Sequence, residues 1–150
     1  MMIRRARIED VKKIYAILQY FSAKELLLGR SLSSLYDQLR DFLIYEHGKE
    51  IIGVGALHVC WDDLAEIRSL AVVEDEHNHG VGRALVQACI EDMAELGLSR
   101  VFTLTYQPGF FEKLGFAKID KSELPHKVWS DCIQCPKFPD CNEEAMIREI

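Results

Sequence analysis

The spacing of apolar residues changes period several times along the chain. In "EDVKKIYAILQYF", residues 9–21, Val11, Ile14, Tyr15 and Leu18 fall on one helical face, following a short strand in "MIRRARI". "SLSSLYDQLRDFLIY" predicts a second helix with Ser33 or Ser34 as its cap. "FLIYEHGKEIIGVGALHV" predicts two strands joined by a turn at His47-Gly48-Lys49. "AEIRSLAVV" and "RVFTLTY" are further strands, separated by a long helix from about Val81 to Leu96. Gly97 stands where a helix C-terminal glycine belongs, and a short helix, "GFFEKLG", precedes a last strand near "FAKID". This order predicts an α/β domain with a mixed sheet, in which the central strand–helix–strand unit is parallel and right-handed. After Pro125 the periodicity fades. Residues 1–124 are read as the domain and 125–150 as a Cys-containing extension packed on it.

Composition narrows the function classes. At 150 residues, 49% hydrophobic and 28% charged, the chain suits one globular domain. No apolar run approaches a membrane-spanning length, and "MMIRRARIEDV" lacks the apolar core of a signal peptide. The expectation is a cytoplasmic protein with no membrane partner. A net charge of −6, with basic residues scattered along the chain, argues against nucleic acid.

"HNHGVG", residues 77–82, puts two glycines where a strand leads into a helix. Two readings stand side by side: a turn that needs permissive dihedrals, or a cradle of backbone N–H groups for an anion at a helix N-terminus. The segment matches neither a Walker loop nor the three-glycine dinucleotide fingerprint. His77 and His79, two residues apart, point to different sides of the backbone and do not make a shared metal site. In "AEIRSLAV" strict alternation puts Glu66, Arg68 and Leu70 on one face and Ile67, Ser69 and Ala71 on the other. A cleft-facing Arg68 either clamps a substrate carboxylate or pairs with Glu66 and lowers its pKa.

Cys60 and Cys89 sit alone in apolar segments and read as small core residues. Cys132, Cys135 and Cys141 form Cys-x2-Cys-x5-Cys, and the first step is a common zinc-chelating spacing. A structural zinc would draw its fourth ligand from His126, Asp131 or a partner chain. Reduced thiols and a disulfide are the other readings. The prolines and Trp129 of this stretch suggest packing along the sheet or on a second subunit, which leaves a homodimer open.

The glycine turn at Gly80 and Gly82, the strand "AEIRSLAV" and the segment "FFEKLGF", Phe110 to Phe116, occur in an order and spacing that resembles the GNAT family of acyl-CoA-dependent N-acyltransferases. The family signature is Arg/Gln-x-x-Gly-x-Gly/Ala; here His77 stands at its first position. The resemblance implies a GNAT-type, mostly antiparallel mixed sheet and acetyl-CoA as cosubstrate. The diphosphate would be held by backbone N–H groups from Asn78 through His79, Gly80, Val81 and Gly82 to Arg83. The pantetheine arm would lie along Leu70, Ala71 and Val72, near Phe110 and Phe111. Glu66 matches a glutamate that serves several members as general base, and an amine acceptor needs one, since amino termini titrate at about 7.7–8.0. The tyrosine that many members use as acid is Phe111 here, so Tyr106 is the alternative.

The N-terminal half is similar to the acetyltransferase domain of N-acetylglutamate synthase, which opens arginine biosynthesis. That domain's Leu-Val-Arg-Arg-Ser segment corresponds to Leu28-Gly29-Arg30-Ser31. This implies an amino-acid substrate, glutamate first, with Arg30 as its ligand. The subgroup's arginine after the fifth strand has no counterpart in "TYQPGFF", and Arg68 is the residue placed to compensate.

Overall fold

Apolar side chains point to both faces of the central strands, so a helical layer is needed on each side. Leu57, Ala65, Ile67 and Val101 face one way, and Ile44, Val54 and Ala56 the other. In the computed structural model, which describes residues 2–77, 79–125 and 143–150, both layers are present. The strands are β1 (Met2–Arg5), β2 (Phe42–His47), β3 (Glu50–Trp61), β4 (Leu64–Val72), β5 (Arg100–Thr105), β6 (Ala117–Ile119) and β7 (Glu144–Glu149). The helices are α1 (Val11–Ala23), α2 (Leu32–Asp37), α3 (Val81–Glu95) and α4 (Pro108–Glu112). One sheet has the order β1-β2-β3-β4-β5-β7-β6, antiparallel throughout except for the parallel pair β4 and β5. This is the mixed sheet, with its parallel strand–helix–strand unit, that the apolar pattern predicts.

α3 buries Val81, Leu85, Val86, Cys89, Ile90 and Met93 against one face, and α1 buries Val11, Ile14, Leu18 and Phe21 against the other. Burying each large aliphatic side chain stabilises the fold by about 1.5–3 kcal/mol. Cys60 and Cys89 are buried thiols, as their apolar settings suggested, and burial pushes Cys89 up to about 12, away from reactivity. Gly97 ends α3 at φ +83°. Among the described residues no helix is long and apolar enough to cross a membrane.

Two expectations need correction. α2 is shorter than its pattern and is capped by Ser31, whose hydroxyl accepts from the Ser34 N–H at 3.0 Å. Past Asp37 the chain leaves the helix because Phe42 and Ile44, both fully buried, are claimed by the sheet. The second correction concerns the end of the chain. The sequence reading gives it no strand, yet Glu144–Glu149 inserts between β5 and β6, pairing with β5 from Thr105↔Glu144 to Arg100↔Glu149. Ala145 is buried toward one face and Met146 toward the other, so a strand covered on both sides shows no alternation. Cys132, Cys135 and Cys141, with His126, Trp129 and Asp131, lie outside the described residues, as does Asn78.

Candidate active site

β4 departs from regular pairing at the centre of the sheet. Ala71 pairs with Val54 and Arg68 with Ala56, so Ser69 and Leu70 oppose the single residue Gly55. Ser69 takes φ +56°, in the left-handed region, at this bulge. The extra residue resets the alternation. Glu66 and Arg68 stay together on the α1–α2 face, but Leu70 turns to the α3 face with Ile67, and Ala71 crosses to the α1 face. The predicted grouping of Leu70 with Glu66 and Arg68 is therefore wrong, because it assumed an unbroken strand.

On its other edge β4 soon loses its neighbour. The β4–β5 ladder holds only Ala65↔Val101 and Glu66↔Phe102. One residue further, the Thr103 hydroxyl donates to the Ile67 carbonyl at 2.8 Å, and beyond it the strands part. The edge from Arg68 to Val72 thus presents strand backbone to a cleft, as for an added strand. His77 closes the end of this edge: its Nε2 lies 2.6 Å from the Val72 carbonyl oxygen, and its ring stacks on Phe21.

The cleft's far wall is the start of α3. Gly80 is the N-cap at φ +79°, and the first helical bond runs from the Ala84 N–H to the Gly80 carbonyl at 3.0 Å. The amides of Val81, Gly82 and Arg83 therefore precede any intrahelical acceptor, at the positive end of the helix dipole. At Gly82 a Cβ would stand 3.1 Å from Phe110 Cζ and 3.7 Å from Val72 Cγ2. Absence of a side chain there joins three elements: the end of β4, the first turn of α3 and α4. Phe111 is buried, edge-on to both Phe110 and Phe116, and is a core residue that anchors α4. His79 pairs with Glu76 at 3.3 Å, so the two loop histidines face different partners. Among the described residues no group of three or more His, Cys, Asp or Glu is placed to hold a metal ion.

On the opposite side of Glu66, side chains from four elements converge. Arg30 donates to Ser34 Oγ from Nε (3.2 Å) and Nη2 (2.8 Å) and also to Gln38 Oε1, with its guanidinium over the Phe42 ring. Arg68 Nε lies 3.9 Å from Glu66 Oε1, inside ion-pair range but beyond a hydrogen bond. His58 stands across the β3–β4 ladder from Glu66, and its Nδ1 is 2.7 Å from Asp41 Oδ2. Burial, with Arg68's like charge adding, pushes the Arg30 guanidinium down to about 10, while Asp41 and Glu66 act the other way. Among the described residues, the buried atoms Arg30 Nη1, Arg68 Nε and Arg68 Nη2 have no hydrogen-bond acceptor.

The sequence profile of the acetyltransferase (GNAT) family matches residues 8–116. The chain belongs to the GNAT acetyltransferase family. It is 37% identical to an uncharacterized N-acetyltransferase of Chlorobaculum tepidum over 99% of this chain and 96% of the relative. It is also 37% identical to the amino-acid acetyltransferase of Mycobacterium tuberculosis over 87% of this chain and 76% of that one. Among solved structures, a Mycobacterium tuberculosis protein in complex with CoA and NLQ superposes with TM-score 0.85 at 31% identity, covering 100% of this chain and 99% of the other. N-acetylglutamate synthase from Neisseria gonorrhoeae, complexed with coenzyme A and N-acetyl-glutamate, gives TM-score 0.88 at 27% identity. The match covers 99% of this chain but only 34% of that longer one.

In this GNAT N-acetyltransferase the residues predicted for the two ends of the site lie on two sides of one strand junction. Leu70 to Val72, His77, His79 to Arg83 and Phe110 cluster where β4 and α3 meet, and Glu66, Arg68 and Arg30 cluster on the α2 side. Tyr106 directly follows β5, the strand that parts from β4. The pair Asp41 and His58 escaped the sequence reading. Its signal was present: on β3, His58 alternates in phase with Val54 and Ala56 but is polar among apolar neighbours.

Proposed function

We propose that this enzyme transfers the acetyl group of acetyl-CoA to the α-amino group of an amino acid with a second carboxylate, L-glutamate first. The observation that carries the reading is the pair of half-buried arginines, Arg30 and Arg68, whose buried N–H donors lie unmatched beside Glu66. Each buried donor left without an acceptor costs about 1–3 kcal/mol. A substrate carboxylate supplies the missing acceptors, and the planar guanidinium fork favours that anion. The names of the Mycobacterium tuberculosis and Neisseria gonorrhoeae relatives support the same acceptor class. The product would then be N-acetylglutamate, the compound that opens arginine biosynthesis.

The amides of Val81, Gly82 and Arg83 bind the diphosphate of the donor, and the β4 edge from Leu70 to Val72 bonds the amides of its pantetheine arm. Arg30 and Arg68 hold the acceptor so that its amine meets the thioester. Glu66 takes a proton from the ammonium group, directly or through water, freeing the lone pair. The nitrogen attacks the thioester carbonyl carbon, the adduct's nitrogen gives up its second proton to solvent, and collapse of the tetrahedral adduct breaks the carbon–sulfur bond. The sulfur leaves with the bonding pair as a thiolate, tolerable for a thiol of pKa about 8.5. Tyr106 is the side chain assigned to return a proton to it.

The test is thiol release from acetyl-CoA with a panel of amino acids. Glutamate-dependent turnover is expected, and Glu66→Gln should lower kcat at neutral pH by about 10²–10⁴-fold and move the pH profile upward. Turnover with neutral amines or protein N-termini and none with glutamate would overturn the acceptor. An unchanged profile would remove Glu66 from the mechanism.

A further inference from the structure

A groove of about 320 Å³ runs between the first turns of α3 and the end of α4. Its wall holds three cations from three elements: Arg83 of α3, Lys113 just past α4, and Arg148 of β7. Among the described residues no carboxylate lines it, and none of the three is ion-paired with an acid. That clustering runs against the character of the chain, which carries 24 acidic and 18 basic residues. Like charges gathered without counterions raise the local potential and favour an anion.

Arg148 is fixed in place. Its Nη1 donates to the Leu114 carbonyl at 2.9 Å, and its guanidinium stem lies against Gly115, where an added Cβ would be 3.4 Å from Nε. Gly115 has φ +88°, so the turn after α4 exposes its backbone to the guanidinium. Arg83 and Lys113 are exposed and face the groove from either side.

We infer that this groove is a phosphomonoester subsite and that it takes the 3′-phosphate of coenzyme A. The inference rests on acetyl-CoA as donor and extends that reading to residues outside the glycine turn. Arg83 belongs to the turn of α3 whose amides are assigned the diphosphate, and the contact of Gly82 with Phe110 fixes α4 beside it. In coenzyme A the diphosphate and the 3′-phosphate are attached to the same ribose. A diphosphate seated on the turn therefore brings a dianionic group within reach of the groove. Arg83 and Arg148 offer forked donors to it, and Lys113 a point charge. Arg148 lies on the strand that the sequence reading missed.

Calorimetric titration with coenzyme A and with 3′-dephospho-coenzyme A tests the assignment, on the full chain and on Lys113→Ala and Arg83→Ala/Lys113→Ala. Both positions are exposed, so truncation leaves the fold intact, and a thermal melt verifies it. The wild type should prefer coenzyme A by about ten-fold or more, and the double variant should bring the two affinities together. Millimolar inorganic phosphate should weaken coenzyme A more than the dephospho form. Equal wild-type affinities, or a preference unchanged by the substitutions, would overturn the subsite. Phosphate binding to the groove without discrimination between the two coenzymes would overturn its assignment to coenzyme A. If neither coenzyme binds, the donor reading itself fails, a result distinct from loss of the preference alone.

Discussion

The Thr103 hydroxyl donates a 2.8 Å hydrogen bond to the Ile67 carbonyl at the point where β4 and β5 separate. One rung earlier the strands are still paired, at Glu66 and Phe102. A side chain thus replaces a ladder bond just where the cleft begins, and Thr103 is buried there. Thr103→Val keeps the shape and removes the donor, leaving a buried carbonyl without it. The expected loss is about 1–3 kcal/mol in chemical denaturation, while Thr103→Ser retains most of the stability. A Val variant as stable as the wild type would show that the bond does not hold the junction.

At Gly82 two effects oppose each other. Alanine is the better helix former by about 0.8–1 kcal/mol, but its Cβ would stand 3.1 Å from Phe110 Cζ, and overpacking costs about 1–3 kcal/mol. Sterics therefore win, and Gly82→Ala is expected to destabilise the fold and weaken acetyl-CoA binding. Phe110→Leu vacates the contact. The double variant should be more stable than the sum of the two single changes predicts, by at least 0.5 kcal/mol in a double-mutant cycle. Additive effects would mean the ring moves aside freely.

What the amino-acid order revealed, and what it hid, follows from the range of the interactions. Val11, Ile14 and Leu18 on α1, the glycine turn and Glu66 on its strand are local signals, and the fold uses each of them. The bulge at Ser69 has no such signal. Serine is not a residue that demands positive φ, and only pairing with β3 imposes it. That single residue decided which face Leu70 and Ala71 occupy. β7 was hidden because it is covered on both sides, and the pairing of Asp41 with His58 because it depends on a ladder between distant segments.

Arg4 and Asp10 set an acid limit on stability. Arg4 donates to both oxygens of Asp10, at 2.8 and 3.0 Å, and the Arg7 N–H adds a bond of 2.7 Å. Arg4's hydrogen bonds hold the Asp10 carboxyl below its ordinary range, against the opposing effect of burial. With the folded pKa depressed, the unfolded chain binds the proton first, so stability falls as pH falls. The contribution is complete above the unfolded value of about 3.9 and is lost as pH drops through the lower folded value. Denaturation midpoints at pH 7 and pH 3 should therefore differ less in Asp10→Asn than in the wild type. An identical pH slope would assign the acid sensitivity to other carboxylates.

Arg68 separates stability from function. Without substrate it is a half-buried cation with two buried, unmatched nitrogens, close enough to Arg30 to depress that guanidinium, and its contact with Glu66 is 3.9 Å. Each of the first two features destabilises the folded chain, and the third offsets them only in part. Arg68→Met, similar in length and uncharged, removes both penalties. The free protein should melt at the same temperature or higher. Binding should move the other way. A lost charge-assisted contact to a carboxylate is worth about 1.5–3 kcal/mol, or roughly 10- to 150-fold in KM for glutamate. Glutamate should accordingly raise the melting temperature of the wild type and leave that of the variant nearly unchanged. A variant that melts lower while keeping its KM would make Arg68 a structural partner of Glu66 rather than a ligand for the acceptor.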